Sequence, residues 1–172
     1  MAAKAWRLFK WLVFAAIVAL VAVVGVRTWQ IQQGPPLELW HTFEPHEMTT
    51  DEIAKAGWSG YLAAEQRLMD EVRREVTDKL PDDVKFDANR YWDKSPVYPG
   101  KFATDWNRSY ILMPAGKPVG AVVLLHGLTD SPYSLRHVAK RYRDGGFVAV
   151  AIRLPGHGTV PSGLAVVEWE QW

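Results

Sequence analysis

The chain has 172 residues, and 20 lysines and arginines against 19 acidic residues give it a formal net charge of +1. This balance creates no global basic field, so we expect no nucleic-acid partner. There is no cysteine, which excludes disulfides, thiolate metal sites and a lipidated cysteine. The length is sufficient for one domain and an anchor.

An uncharged apolar run covers residues 11–26. As a helix it would extend roughly 24 Å, and Leu8 and Phe9 can lengthen it because Lys10 can direct its amine to the membrane surface. Three basic residues precede the run, and only Arg27 follows it closely. This asymmetry predicts a cytoplasmic N-terminus and places the bulk of the chain outside the cytoplasm.

We therefore expect residues 1–27 to form a single-pass anchor that contacts the lipid bilayer through residues 8–26. A cleaved signal peptide is the alternative and would leave a secreted protein, although Val23-Val24-Gly25 is a mediocre cleavage site. A buried helix of a soluble fold is disfavoured because the segment is apolar on all sides.

Residues 28–107 are expected to form a linker and a helical lead-in. Gly-Pro-Pro at 34–36 is typical of a linker, and residues 37–46 are aromatic and predicted to be extended. His41 and His46 are metal ligands by type, but no carboxylate or thiol framework accompanies them. We expect no metal and no other cofactor.

An amphipathic helix is predicted between residues 50 and 78. Thr49 and Glu52 have the spacing of a capping box, and Pro81 marks the end. Two faces follow from the helical period: an apolar face of Tyr61, Leu62, Leu68, Met69, Val72 and Val76, and a charged face of Glu65, Arg67, Asp70, Arg73, Arg74 and Glu75. The helix is interpreted as packing on the domain. The alternative, a membrane-surface or partner helix, is disfavoured because the polar face carries both charge signs.

Residues 108–172 are predicted to be an α/β core, after an irregular stretch from Pro81 to Trp106. Three short apolar runs, 109–114, 119–125 and 147–152, are typical of strands. The second run shows no alternation, so we expect both of its faces to be covered, as in a parallel sheet.

A helix is predicted between the second and third strands. Ser131 can cap it, Pro132 suits its first turn, and Gly145 follows its end. Its inward face is expected to carry Tyr133, Leu135, Val138 and Tyr142. Strand, helix and strand would form a right-handed crossover, with the glycine-rich loop 153–158 at the sheet edge where ligands bind.

Two motifs resemble the α/β-hydrolase superfamily, closest to its serine aminopeptidase-like and monoacylglycerol-lipase-like branch. Residues 124–128 (LLHGL) are similar to the turn after the family's third strand, and 154–158 (LPGHG) to the loop after its fourth. Residues 168–172 (EWEQW) look like the start of the next helix. The resemblance covers about residues 108–172 and implies the N-terminal portion of a doubly wound sheet.

The resemblance also implies a site. The backbone N–H of Leu128 would be one of two oxyanion-hole donors, supported by His126 and by Gly127, which lets the backbone approach a ligand. Thr129, Ser131 and Tyr133 would bind substrate. His126 and His157 would shape their loops, since the family's catalytic base comes late in the chain.

No serine in the sequence fits the family's Gly-x-Ser-x-Gly nucleophile motif; Ser59 and Ser162 come closest, and each lacks at least one of the glycines. The resemblance therefore implies a chain truncated before the nucleophile, acid and base, and inert as given. Val122 to Leu125 would then form an open, apolar sheet edge.

Three functions remain. The first is the N-terminal part of a membrane-anchored serine hydrolase of esters, thioesters or amides, with a small acyl or peptide substrate. The second is a membrane-tethered, non-enzymatic binding or scaffold module with a hydrolase-like fold. The third uses an aspartate nucleophile, as in dehalogenases and epoxide hydrolases, and is disfavoured because Thr129 stands where those proteins usually carry proline.

Overall fold

The computed structural model describes residues 2–172, which form two compact units, 2–36 and 37–172. The first unit contains helix α1, Ala2–Gln32. It continues five residues beyond the predicted end of the anchor at Arg27. Within the described residues it is the one helix long and apolar enough to cross a membrane, a property shared by signal sequences.

The second unit opens with a short helix, α2, Leu39–Thr42, so the predicted extended conformation of residues 37–46 is wrong for these four residues, while Glu38 and Phe43 on either side are extended. Local capping explains the difference. The Glu38 N–H donates to Nδ1 of His41 at 3.1 Å, which closes the first turn. Trp40 then stacks on Tyr91 with ring centroids 5.2 Å apart, which packs α2 against the lead-in.

Helix α3 covers Thr50–Glu75, and the predicted capping box is confirmed: Thr49 and Glu52 each bind the other's backbone N–H. The helix is kinked at Gly57, whose φ of 58° and ψ of −178° are not helical. It ends at Glu75, before the predicted boundary, and a 3₁₀ turn, Thr77–Lys79, follows. The buried core is built on its apolar face, with members Val72, Val76, Leu80, Val84 and Val160.

The assignment of Glu65 to the solvent face of α3 is wrong. Its side chain is 1% exposed and lies 3.1 Å from Nε of Arg153. Glu65 also accepts the Ser109 N–H at 2.9 Å, so both partners come from the α/β core. A charged side chain can be buried when protein partners replace the water molecules that would hydrate it. The helical period of the sequence does not reveal such distant partners.

Arg153 also binds Glu47, which lies in the segment between α2 and α3. Its two terminal nitrogens reach the two carboxylate oxygens of Glu47 at 2.8 and 2.9 Å. Both side chains are 3% exposed. Burial lowers the pKa of Arg153, but the hydrogen bonds and charge of Glu47, with Tyr61 and Glu65, raise it overall. Glu47, Glu65 and Arg153 are called the ionic cluster below.

The sheet has three strands in the order β1-β3-β2: Tyr110–Leu112, Phe147–Ile152 and Gly120–Leu125. Strands β2 and β3 are parallel, and β1 pairs with β3 in the antiparallel direction. Helix α4, Arg136–Asp144, connects β2 to β3. The described residues thus contain a strand–helix–strand unit and a small mixed sheet, without the other strands of a doubly wound fold.

Strand β2 lies at the sheet edge and alternates between partly buried and exposed residues. Val123 and Leu125 are 57% and 59% exposed. The expectation that both faces of this strand are covered is therefore wrong for the described residues: α4 packs on β3 and β1, and alternate residues of β2 stay exposed. An apolar edge of this kind can pair with another strand.

The segment before α4 also differs from the prediction. Residues Pro132–Leu135 form a 3₁₀ turn, and the hydroxyl of Ser131 donates to Oδ1 of Asn107 at 2.9 Å instead of capping a helix. A 3₁₀ turn advances the side chains by a different angle from an α-helix, so the predicted inward face is rotated. Ala139 is buried, whereas Tyr133, Val138 and Tyr142 are more than 40% exposed.

The lead-in after α3 is irregular, as predicted. It contains the 3₁₀ turns Asp82–Val84 and Pro99–Lys101, and residues 81–106 include no strand. Side chains hold it by binding its own carbonyls: Asn89 donates to Val84 O at 2.7 Å, and Ser95 donates to Asp87 O at 2.6 Å. The chain closes with the 3₁₀ turns Pro161–Ala165 and Trp169–Gln171.

Replacement of Arg153 by methionine is expected to destabilise the second unit by about 3–5 kcal/mol, because two buried carboxylates lose their cation. The matched control is Lys79→Met, which removes an exposed pair with Glu75 and should change stability little. Urea unfolding of the full-length protein measures both. Equal midpoints for the two variants would show that the ionic cluster is not needed for stability.

Candidate active site

Two loops meet at the carboxyl ends of the parallel strands. Residues 126–131 follow β2, and residues 153–158 follow β3. Because β2 and β3 are parallel neighbours, the loops leave the sheet at the same edge. Ligands of α/β sheets bind at this edge.

The first loop contains a tight turn. The N–H of Asp130 donates to the carbonyl of Gly127 at 3.2 Å, and Thr129 has a φ of 64°. A positive φ at the third residue is the signature of a type II turn. A left-handed threonine costs about 1–2 kcal/mol, so this turn holds a strained conformation of the kind that clusters at functional sites.

Leu128 occupies the second position of the turn. Within residues 2–172 its backbone N–H donates no hydrogen bond, and its side chain is 68% exposed. The amide is therefore available to an acceptor outside the described residues. A Cβ added at Gly127 would meet no atom within 4 Å, which leaves open space next to this amide.

His126 joins the two loops. Its Nε2 accepts the N–H of Leu154 at 3.1 Å. Its Nδ1 lies 3.0 Å from the carbonyl of Gly127, and because a carbonyl only accepts, Nδ1 carries the proton. Burial lowers the pKa of His126, which keeps the ring neutral as this bonding requires. Both nitrogens are engaged in shaping the loops, and neither is available to a serine.

The second loop depends on two glycines with positive φ, Gly156 at 78° and Gly158 at 73°. A Cβ at Gly158 would lie 2.8 Å from the carbonyl oxygen of Asn107, so no larger side chain fits. The ionic cluster fixes the same loop, since Glu47 accepts the Gly156 N–H at 2.8 Å and Arg153 donates to the His157 carbonyl at 3.0 Å. Sequence reasoning missed Glu47 and Arg153, because no local pattern connects residues so far apart.

His157 is 3% exposed and packs against His126, with ring centroids 4.8 Å apart. Its Nδ1 donates to the carbonyl of Pro155 at 2.8 Å. Within the described residues, its Nε2 and the hydroxyl of Thr159 are buried polar atoms without a partner. Such atoms normally have one, and leaving each unpaired costs about 1–3 kcal/mol.

A cavity of about 380 Å³ lies between the loops, and we call it the loop cavity. It brings together the predicted substrate-binding residues Thr129, Ser131 and Tyr133, together with Asp130 and residues 156–160. Its size is in the range of small-molecule sites. The backbone of Leu128 lies in the adjoining turn, while Gly127 and His126 are outside the lining.

The serines with the nearest sequence context lie elsewhere. Ser59 is exposed on α3, and the Ser162 hydroxyl donates to the carbonyls of Trp40 and Phe43. Neither lines the loop cavity. The described residues also contain no group of three or more histidines, cysteines or acidic residues able to hold a metal ion.

Comparison with known proteins gives a partial similarity to lipolytic enzymes. No family model matches the chain. Over 55 residues it is 38% identical to the thermostable monoacylglycerol lipase of Bacillus sp. (strain H-257), a segment that covers 32% of this chain and 22% of that lipase. The chain thus spans about a fifth of the length of this curated relative.

A solved structure described as LipS and LipT, two metagenome-derived lipolytic enzymes, is 28% identical and covers 39% of this chain and 26% of that one, with a TM-score of 0.36. The lipase alignment is the stronger of the two similarities. It supports a partial, distant relationship of this chain to the α/β-hydrolases.

The pH dependence of stability is expected to reflect His126. Its folded pKa is lowered from 6.5, so the unfolded chain takes up a proton first, and stability falls as the pH drops below about 6.5. The exposed His46 has the opposite effect on stability. Its hydrogen bond to Glu71 raises its pKa, so the stability that this pair contributes is lost as the pH rises through the pKa of His46 in the folded protein.

Thermal unfolding of the full-length protein between pH 5 and 7.5 measures this effect. His126→Gln should be less stable at neutral pH and should lose less of its melting temperature on acidification than the wild type. His137→Gln is the matched control, because His137 is exposed on α4. An unchanged acid slope in His126→Gln would contradict the assignment.

Proposed function

We propose that residues 109–172 form the oxyanion side of a serine hydrolase active site. The observation that carries this proposal is the Leu128 N–H, which is unpaired within residues 2–172 and lies in a strained turn next to the loop cavity. A pre-oriented amide of this kind stabilises the negative charge that develops on a carbonyl oxygen during acyl transfer.

In this proposal each part of the site has one task. A serine from outside these residues attacks the carbonyl carbon, a histidine takes the serine proton, and the Leu128 N–H donates to the developing oxyanion. Thr129, Ser131 and Tyr133 contact the substrate in the loop cavity. His126 holds the turn against the second loop and takes no proton.

Acyl esters are the substrate class best supported, with thioesters and amides as chemically related alternatives. The support comes from the aligned segment of the monoacylglycerol lipase, which includes no more than about a fifth of that enzyme. The mixed lining of the loop cavity is compatible with an ester, because hydroxyl groups stand beside aromatic and aliphatic surface.

The variant Leu128→Pro tests the role of the amide, because proline lacks the N–H and is favoured at the second position of a type II turn. We expect a protein that contains this chain together with the segment supplying the serine and histidine to react with a fluorophosphonate probe and to hydrolyse p-nitrophenyl esters. Leu128→Pro should be slower by about 100- to 1,000-fold. Leu128→Ala, which keeps the N–H and changes an exposed side chain, is the control and should stay near the wild-type rate.

Two outcomes would contradict the proposal. A wild-type protein that reacts with neither reagent is not a serine hydrolase, and the binding-module hypothesis would then account for the fold. Equal rates for Leu128→Pro and Leu128→Ala would remove this amide from the oxyanion hole while leaving the hydrolase class intact.

We also propose that α1 anchors the protein in a membrane, with the second unit outside the cytoplasm. The candidate membrane span of α1 is Lys4–Gln32, 29 residues or about 43 Å of helix, and its uncharged apolar run, residues 11–26, supplies roughly 24 Å of that length. The basic residues concentrate at its N-terminal end, which supports a cytoplasmic N-terminus.

An anchor and a cleaved signal peptide differ in what remains in the membrane. We expect the wild-type protein to resist carbonate extraction and to retain residues 1–27 by intact mass. The double variant Val23→Ala and Gly25→Ala creates an Ala-x-Ala site and should be cleaved and released. Release of the wild-type protein to the same extent would show that α1 is a signal peptide.

A further inference from the structure

The lead-in forms a second and larger cavity that the proposed chemistry does not use. It has a volume of about 620 Å³ and we call it the lead-in groove. One wall comes from residues 97–107 and the other from the start of the α4 segment, Tyr133 and Arg136. The 97–107 wall lies outside the motifs that resemble hydrolases.

The floor of the lead-in groove is apolar and open to solvent. Phe102 is 58% exposed, Val97 is 46% exposed and Tyr133 is 48% exposed, and all three line the same cavity with Trp106. Folding normally leaves such residues scattered, so their convergence on one concave surface favours an apolar ligand.

Two arginines give the groove a second property. Arg90 and Arg136 line it, and neither forms an ion pair within the described residues. The guanidinium carbon of Arg136 lies over the Tyr133 ring, 3.7 Å from its centroid, and the side chain donates to the Tyr133 carbonyl at 2.7 Å, so two contacts hold it in place. The acidic residue of the lining, Asp105, already accepts from the backbone and side chain of Asn107.

The lining of the groove thus holds two arginines and one acidic residue beside its apolar floor. A ligand that matches both properties has an apolar part and an anionic end. Arginine binds carboxylates well, because its planar group donates two parallel hydrogen bonds. Each methylene moved from water to the floor adds about fourfold in affinity.

We infer that the lead-in groove binds a long-chain fatty acid, with the chain along Val97, Phe102 and Trp106 and the carboxylate near Arg90 and Arg136. The groove shares Arg90, Asn107 and Tyr133 with the loop cavity, so the two spaces adjoin. A fatty acid there would lie next to the proposed acyl-transfer site. The binding itself requires no serine, no hydrolysis and no part of the oxyanion turn.

The test is photocrosslinking of the full-length protein in membranes with a diazirine-bearing palmitic acid, followed by mass spectrometry of the labelled peptides. Peptide mapping separates the groove from label that partitions into lipid around α1. We expect labelling to concentrate in residues 97–106 and 133–136, and excess palmitate to suppress it there.

Variants separate the apolar and ionic contributions. Phe102→Asp places a carboxylate on the floor and should lower groove labelling at least tenfold. Phe86→Asp is the matched control, because Phe86 is 52% exposed in the same lead-in but outside the groove. Arg90→Gln should lower labelling by the acid about tenfold and leave labelling by the matching diazirine fatty alcohol unchanged. Arg74→Gln, on the exposed face of α3, should change neither.

Three results would overturn the inference: labelling without preference for the groove peptides, equal labelling of Phe102→Asp and Phe86→Asp, or equal groove labelling by the acid and the alcohol in the wild type. None of them depends on catalysis. A protein that fails to react with fluorophosphonate can still show the groove labelling, and the reverse also holds.

Discussion

The ionic cluster is the interaction on which the second unit depends. Arg153 connects three parts of the chain that share no sequence pattern: the segment before α3 through Glu47, α3 itself through Glu65, and the loop after β3. Two carboxylates against one guanidinium leave an excess of negative charge inside the protein. That excess is stabilised by N–H and O–H donors from Ser109 and Gly156, which act only when the sheet and loop are in place.

The geometry of the candidate active site follows from this cluster. Arg153 and Glu47 hold the 153–158 loop through hydrogen bonds to its backbone at His157 and Gly156. His126 accepts the Leu154 N–H, and its ring joins the loop to the turn that carries Leu128. The turn itself is closed by the Asp130–Gly127 hydrogen bond and contains a strained Thr129. The bonds of the second loop and His126 allow the strained Thr129 turn to persist, because a strained turn is stable only where the surrounding structure fixes its position.

Local patterns predicted local features well. The strand at Phe147–Ile152, the capping box of Thr49 and Glu52, and the histidine–glycine turn could be read from neighbouring residues. Predictions failed where a distant partner or a change of helix type decided the outcome. Glu65 looks solvent-exposed by its helical period, and only Arg153, 88 positions away, brings it inside. The inward face of α4 was misassigned because the 3₁₀ turn before it shifts the phase, and the uncovered face of β2 depends on what packs there.

The separation of Glu47 and Arg153 by 106 positions has a consequence for the order of events during synthesis. At about 5–20 residues per second, the carboxylate emerges roughly 5–20 s before its guanidinium. During that interval α3 can form and its apolar face can pack against Leu80 and Val84, while Glu47 and Glu65 remain hydrated. The loop that borders the candidate active site thus becomes ordered only after Arg153 has been synthesised, later than α3.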